Sequence, residues 1–165
     1  MISPKMQEAF DAQINEELFS AHLYLAMSIH CEAQSFKGFG AWLRAQHQEE
    51  LEHASKLIEH VLARGGKPTL KAIREPSASF GSIPKVFEAV VAHERHITAQ
   101  VHKLYELALA EKDVAAQLLM QWYVNEQVEE EATATEIHEK LKMVGDRPGS
   151  ALYLDKEYGK RGRKP

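Results

Sequence analysis

Residues 84–111, PKVFEAVVAHERHITAQVHKLYELALAE, hold a row of apolar side chains that is broken once. Phe87, Val90, Glu94, Ile97, Val101, Leu104 and Ala108 step by threes and fours, the spacing of a buried helical seam. Glu94 is the only acid in that row. A solitary carboxylate so placed loses hydration worth several kcal/mol, or takes up a proton. Several carboxylates sharing one interior need cations between them. The pattern points to a helical bundle with metal in its core.

Three further seams lie on either side of this one. Ser3-Pro4 offers an N-cap with proline in the first turn, and a helical pattern then runs to about Ala33. Its seam is Phe10, Ile14, Glu17, Ala21, Tyr24, Ser28 and Cys31. After a turn from Gln34 to Gly38, a second helix is predicted from about Phe39 to Arg64. Its seam is Phe39, Leu43, Gln46, Glu50, His53, Leu57 and His60 or Val61, and Gly65-Gly66 stops it. The third helix is predicted from about Pro84 to Glu111. Asp113 caps a fourth, whose seam is Ala116, Met120, Tyr123, Gln127, Glu130, Ala134, Ile137 and Leu141, ending near Gly145. A short amphipathic helix from about Ser150 to Tyr158 follows Pro148-Gly149, and the basic tail after it reads as disordered.

The linker between helices two and three sets the topology. Residues 66–83 contain Pro68, Pro76 and Gly81 and show no sustained helical period. A helix of about 27 residues is roughly 40 Å long, and an extended linker of this length reaches roughly 55–60 Å. The chain can therefore travel the whole bundle and restart at the far end. Short turns join helices one and two, and three and four, so each pair is an antiparallel hairpin. The expected fold is all-α: a four-helix bundle with one long crossover between helices two and three, plus a short fifth C-terminal helix. Residues 1–145 form the bundle, and 146–165 the short helix and basic tail.

Composition narrows the function. The chain has 165 residues, 44% hydrophobic and 27% charged, ordinary values for a globular protein. The net charge of −4 includes four positive charges in Lys160-Arg161-Gly162-Arg163-Lys164, so the remainder carries about −8. An acidic body disfavours nucleic acid as the main partner. Cys31 is the only cysteine, which excludes an intrachain disulfide and suits a reducing cytoplasm. Neither an export leader nor an apolar run near membrane-spanning length is read in the sequence.

The polar interruptions fall near mid-helix: Glu17, Glu50 with His53, Glu94, and Gln127 with Glu130. Glu50-x-x-His53 is the only Glu-x-x-His in the chain, and its spacing puts both side chains on one helical face. Alone it is a weak motif; level with three other buried acids it becomes a strong one. Four carboxylates balance two divalent cations. Oxygen ligands with a single imidazole suit iron or manganese better than structural zinc. Glu50, on a central helix, is the expected bridge, and each ion keeps open positions for water or dioxygen.

The set Glu17, Glu50-x-x-His53, Glu94 and Gln127-x-x-Glu130 resembles the ferroxidase centre of the bacterial non-haem ferritins, a ferritin-like di-iron family, and the match runs over nearly the whole chain. The resemblance implies that Glu17, Glu50 and His53 hold one iron. Glu50, Glu94 and Glu130 would hold the second, with Gln127 hydrogen-bonding outside them. It implies a third iron site at Glu49, Glu126 and Glu129, with Glu130 shared. It matches Tyr24 to a tyrosine beside the iron pair, with Trp122 nearby, both able to supply electrons. It further implies oxidation of Fe(II) by dioxygen and storage of ferric mineral in a cytoplasmic homo-oligomeric shell of twenty-four subunits. No membrane partner is implied. Gln127-x-x-Glu130 replaces a second Glu-x-x-His, which argues for iron as substrate rather than fixed cofactor. The second helix has no methionine, so a haem ligand has no candidate there.

Plainer readings apply elsewhere. Glu131 reads as part of a solvated face, and His93, His96 and His102 as surface or interface residues. His22, His30, His47 and His138 show no partner pattern. Leu152 and Leu154 are expected to pack in a shell or its channels. The basic tail reads as a solubility feature, since a DNA-protecting miniature ferritin lacks the fifth helix. The competing reading is a non-catalytic scaffold whose buried acids only set helix register.

Overall fold

A computed structural model describes residues 1–145 and 148–160. The basic tail beyond Lys160 lies outside the described residues. The chain forms α1 (Pro4–Ala33), α2 (Lys37–Ala63), α3 (Ile83–Ala110), α4 (Val114–Val144) and α5 (Pro148–Tyr158). No strand occurs among the described residues.

The helix ends have local causes. Ser3 Oγ accepts from the Met6 amide at the start of α1, and Pro4 occupies the first turn where its missing N–H is not needed. Asp113 caps α4 in the same way, accepting from Ala116 N at 3.1 Å, and Arg64 holds its other oxygen at 2.7 Å. Gly65, with φ +76°, turns the chain out of α2 through a backbone region that glycine enters freely.

The seams read from the sequence are the buried rows of the structure. In α4 they coincide residue for residue, from Ala116 to Leu141. Two apolar clusters result. One joins Met27, Cys31, Phe39, Trp42, Leu43, Phe87, Ile137 and Leu141 at one end. The other joins Met6, Phe10, Leu57, Val61, Val101, Ala108 and Met120 at the opposite end. Since α2 and α3 contribute to these clusters in the same chain order, they run parallel, and the crossover must span the bundle. It does so along α1. Lys67 bonds Gln7, Thr69 N donates to Asp11, Arg74 pairs with Glu16 through two bonds of 2.8 and 3.0 Å, and Gly81 O meets His30.

The fifth helix forms where it was expected and packs back on its own chain. Leu154 is buried in the chain's own core cluster, while Leu152 is 54% exposed. Phe36, at the N-cap of α2, provides no side-chain cap. Asp155 supplies one from α5, accepting from Gly38 N at 3.0 Å and Phe39 N at 2.8 Å. A Cβ at Gly38 would sit 1.7 Å from the Asp155 carbonyl oxygen, so only glycine permits this approach. His93, read as a surface or interface residue, has a partner within the chain. It is half-buried, its Nε2 lies 2.8 Å from Ser20 Oγ, and burial pushes its imidazole down to about 4.

Candidate metal centre

Between the two apolar clusters lies a polar layer to which all four long helices contribute. Glu17 (α1), Glu50 and His53 (α2), Glu94 (α3), and Gln127 and Glu130 (α4) are all buried. Glu17 and Glu94 are 1% exposed and Glu50 is 3%. No lysine or arginine is buried among the described residues. The layer therefore concentrates carboxyl groups with no buried lysine or arginine to balance them.

Glu17, Glu50 and His53 each offer one ligand atom, and these atoms lie within 4.8 Å of one another. They form the only such cluster of three among the described residues. His53 Nδ1 lies 3.2 Å from Glu50 Oε2. One turn of α2 places the two side chains on the same face, as their spacing requires. Packing orients the imidazole further. Its ring meets Trp122 edge-on at 5.5 Å and Tyr123 at 5.8 Å, and Tyr123 Oη donates to the His53 carbonyl. Glu17 Oε1 accepts from Gln13 Nε2 at 2.8 Å, while Oε2 is buried with no hydrogen-bond partner.

The other two acids sit differently. Glu94 Oε1 accepts from Tyr24 Oη and Oε2 from Gln127 Nε2 at 3.1 Å. Glu130 Oε2 accepts from Gln46 Nε2 at 2.8 Å. Neither belongs to the tight cluster. Burial raises the Glu17 carboxyl well above its usual range, and the Glu50 charge adds to it. Burial does the same to Glu50, with Glu94 and Glu130 contributing repulsion. Glu94 is raised by burial against the pull of Tyr24 and Gln127. Crowded carboxylates out of water hold protons unless cations replace them.

The residues expected at a third metal site are not gathered. Glu49 and Glu126 are half-buried and line an open cleft of about 510 Å³ with His53 and Trp122. Glu129 is exposed and does not line that cleft. Like-charged side chains in contact with water separate when nothing holds them together. Lys56 Nζ lies 4.3 Å from the centre of the Trp122 ring at the edge of this cleft.

Sequence reading missed Gln13 and left Gln46 without a role, although it placed Gln46 on the seam. The Gln13-x-x-x-Glu17 spacing was the available signal, since residues four apart on a helix meet. Gln46 pairs with Glu130 across the bundle, and no spacing reveals that contact.

A four-helix bundle with acids from every helix and one imidazole at mid-length defines a carboxylate-rich metal-binding bundle. The donors fit hard divalent cations, and the unpartnered Glu17 Oε2 marks where one is wanted. The ferritin-like domain family matches residues 7–144. A bacterial non-heme ferritin of Bacteroides fragilis is 41% identical over 98% of this chain and 100% of its own length. One from Campylobacter jejuni is 39% identical over 96% and 94%. Among solved structures, an open pore ferritin of the archaeon Archaeoglobus fulgidus superposes with a TM-score of 0.95 at 46% identity, covering 96% of this chain and 98% of that one. A humanized archaeal ferritin gives 0.97 at 45% identity over the full length of both. The chain belongs to the ferritin-like family.

Proposed function

We propose that this protein stores iron, oxidising Fe(II) with dioxygen at a two-iron site inside each subunit and keeping the ferric product as mineral in a shell of twenty-four copies. Membership of the ferritin-like family supports iron storage. The single observation that carries the oxidation reading is the convergence of Glu17, Glu50 and His53, with a buried Glu17 oxygen left unpartnered.

In this reading iron is the substrate. Glu17, Glu50 and His53 take the first Fe(II); Glu50, Glu94 and Glu130 take the second. Gln127 holds Glu94 from outside, as its bond to Oε2 suggests. Each Fe(II) gives up one electron, and dioxygen accepts both. Carboxylates favour Fe(III) over Fe(II), so the ligand set lowers the potential and drives the reaction forward. Tyr24 is bonded to Glu94 and Trp122 lies against His53, and in this reading both supply further electrons. Glu49, Glu126 and Glu129, with Glu130 shared, form a third, looser iron site, of which Glu49 and Glu126 line the cleft beside His53. The bundle of residues 1–145 carries the chemistry, and α5 packs against the start of α2.

No helix among the described residues is long and apolar enough to cross a membrane, and the single buried cysteine suits a cytoplasmic setting. The test is titration of metal-free protein with Fe(II) under nitrogen, followed by air. Uptake of two ions per subunit and rapid oxidation above the buffer rate are expected. Absence of stoichiometric uptake overturns the reading. Sedimentation of the purified protein checks the shell, with a particle of several hundred kilodaltons expected.

A further inference from the structure

Three carboxylates of the polar layer each accept a hydrogen bond from a buried glutamine on a long helix. Gln13 reaches Glu17 and Gln46 reaches Glu130, both at 2.8 Å, and Gln127 reaches Glu94 at 3.1 Å. The three amides are 4%, 0% and 3% exposed. Apolar residues would fill these positions without the desolvation that a buried amide suffers. The glutamines therefore need a reason to be there.

Their chemistry supplies one. An ionised carboxylate only accepts, so the amide must turn its NH₂ toward it. The donor is neutral, so it fixes an oxygen while leaving the carboxylate's whole charge for a cation. A lysine or arginine in the same place would neutralise the ligand and repel the ion. At Glu17 the division is visible, with Oε1 on Gln13 and Oε2 buried without a partner. Gln13 also lines an outer cleft of about 290 Å³ with Glu16, Gln100 and Leu104, so its amide stands between that cleft and Glu17. Glu50, shared between the two halves of the layer, has His53 as its neighbour rather than an amide.

We infer that Gln13 and Gln46 are positioning residues for the iron ligands Glu17 and Glu130, each fixing one carboxylate oxygen through a neutral amide so that the ligand is held ready for Fe(II). The inference rests on the two-iron reading above. It predicts a pairwise pattern that general core packing does not produce, because each glutamine acts only through its own glutamate.

The experiment is calorimetric titration of the intact metal-free protein with Fe(II) alone under nitrogen. Gln13→Met and Gln46→Met are each measured in the unaltered chain and in Glu17→Ala and Glu130→Ala backgrounds. Each glutamine variant should weaken one of the two Fe(II) equivalents by about tenfold, within the range usual for groups that orient metal ligands. Gln13→Met should have no further effect once Glu17 is gone, yet keep its full effect when only Glu130 is gone. Gln46→Met should show the reverse. Circular dichroism and particle size check folding. If a methionine variant fails to fold, Gln13→Leu or Gln46→Leu replaces it, near the same volume and without a hydrogen-bond donor. Unchanged affinities overturn the inference, as does a loss of equal size in both backgrounds. Failure of the unaltered protein to take up Fe(II) removes the two-iron reading first, and this inference with it.

Discussion

Around His53, three ligand atoms lie within 4.8 Å of one another, and one carboxylate oxygen has no partner. Around Glu94, both carboxylate oxygens are already taken, one by Tyr24 and one by Gln127. These two halves lie in one buried layer, and in the proposed reading they share Glu50 but meet an incoming cation differently. In the His53 half the three candidate ligand atoms are already close together. In the Glu94 half, each carboxylate oxygen already accepts from a neutral donor, so an ion would share those oxygens with Tyr24 and Gln127. The proposed two-iron reading therefore expects a firmer first ion and a weaker second, which suits a substrate that must leave.

Removing the shared residue should break the comparison altogether. Glu50→Ala is expected to abolish fast Fe(II) oxidation, slowing it roughly 100-fold or more, because both halves lose a ligand. Stopped-flow absorbance of the ferric product after mixing with air-saturated Fe(II) measures this. A rate within twofold of the unaltered protein would remove Glu50 from the site.

Substitutions in one half sharpen the comparison. His53→Ala should weaken the first Fe(II) equivalent by about 10–100-fold, and Glu94→Ala should weaken mainly the second. Anaerobic titration of the two variants side by side reads the difference. Identical binding curves would show that the halves are not distinct.

The raised carboxyls of Glu17 and Glu50 give the metal-free protein a pH dependence of definite sign. Their folded pKa values exceed the unfolded ones, so the native state binds more protons. Their contribution to stability is full below the ordinary carboxylate pKa and is lost as pH rises toward the folded values. Divalent metal replaces those protons, so the gain in Tm on adding Mn(II) should be larger at pH 7.5 than at pH 5.5. Calorimetric melting at both pH values tests it. A gain independent of pH would mean that the carboxyls are already ionised without metal.

The smallest expected effect is that of Tyr24→Phe. It frees Glu94 Oε1 while leaving the ring in the core, so the second Fe(II) should bind with affinity changed by about threefold to tenfold. The first equivalent should be unaffected. A change confined to the first equivalent would contradict the assignment of Tyr24 to the Glu94 half.

Much of this architecture was legible in the residues. The row from Phe87 to Ala108 is buried as its period demanded, and so is the row from Ala116 to Leu141. A helix that hides one face must repeat every three or four residues, and that repeat survives in the one-dimensional record. Gln13 was missed because it stands beside the seam rather than on it. Gln46 was seen as buried, but its partner lies 84 residues away. His93 was read as a surface or interface residue, and nothing on its own helix signals its contact with Ser20 of α1. Leu154 and Asp155 were assigned elsewhere or not at all, since the contact of α5 with the start of α2 joins segments more than a hundred residues apart.

Local periodicity, caps and breakers thus determined four long helices, the crossover and the buried acids, because these depend on neighbours within a few turns. Which acids converge, and which are held by amides from another helix, was decided only by the packed bundle. Hydrogen bonds act over about 3 Å, and only folding brings residues from distant parts of a chain that close together.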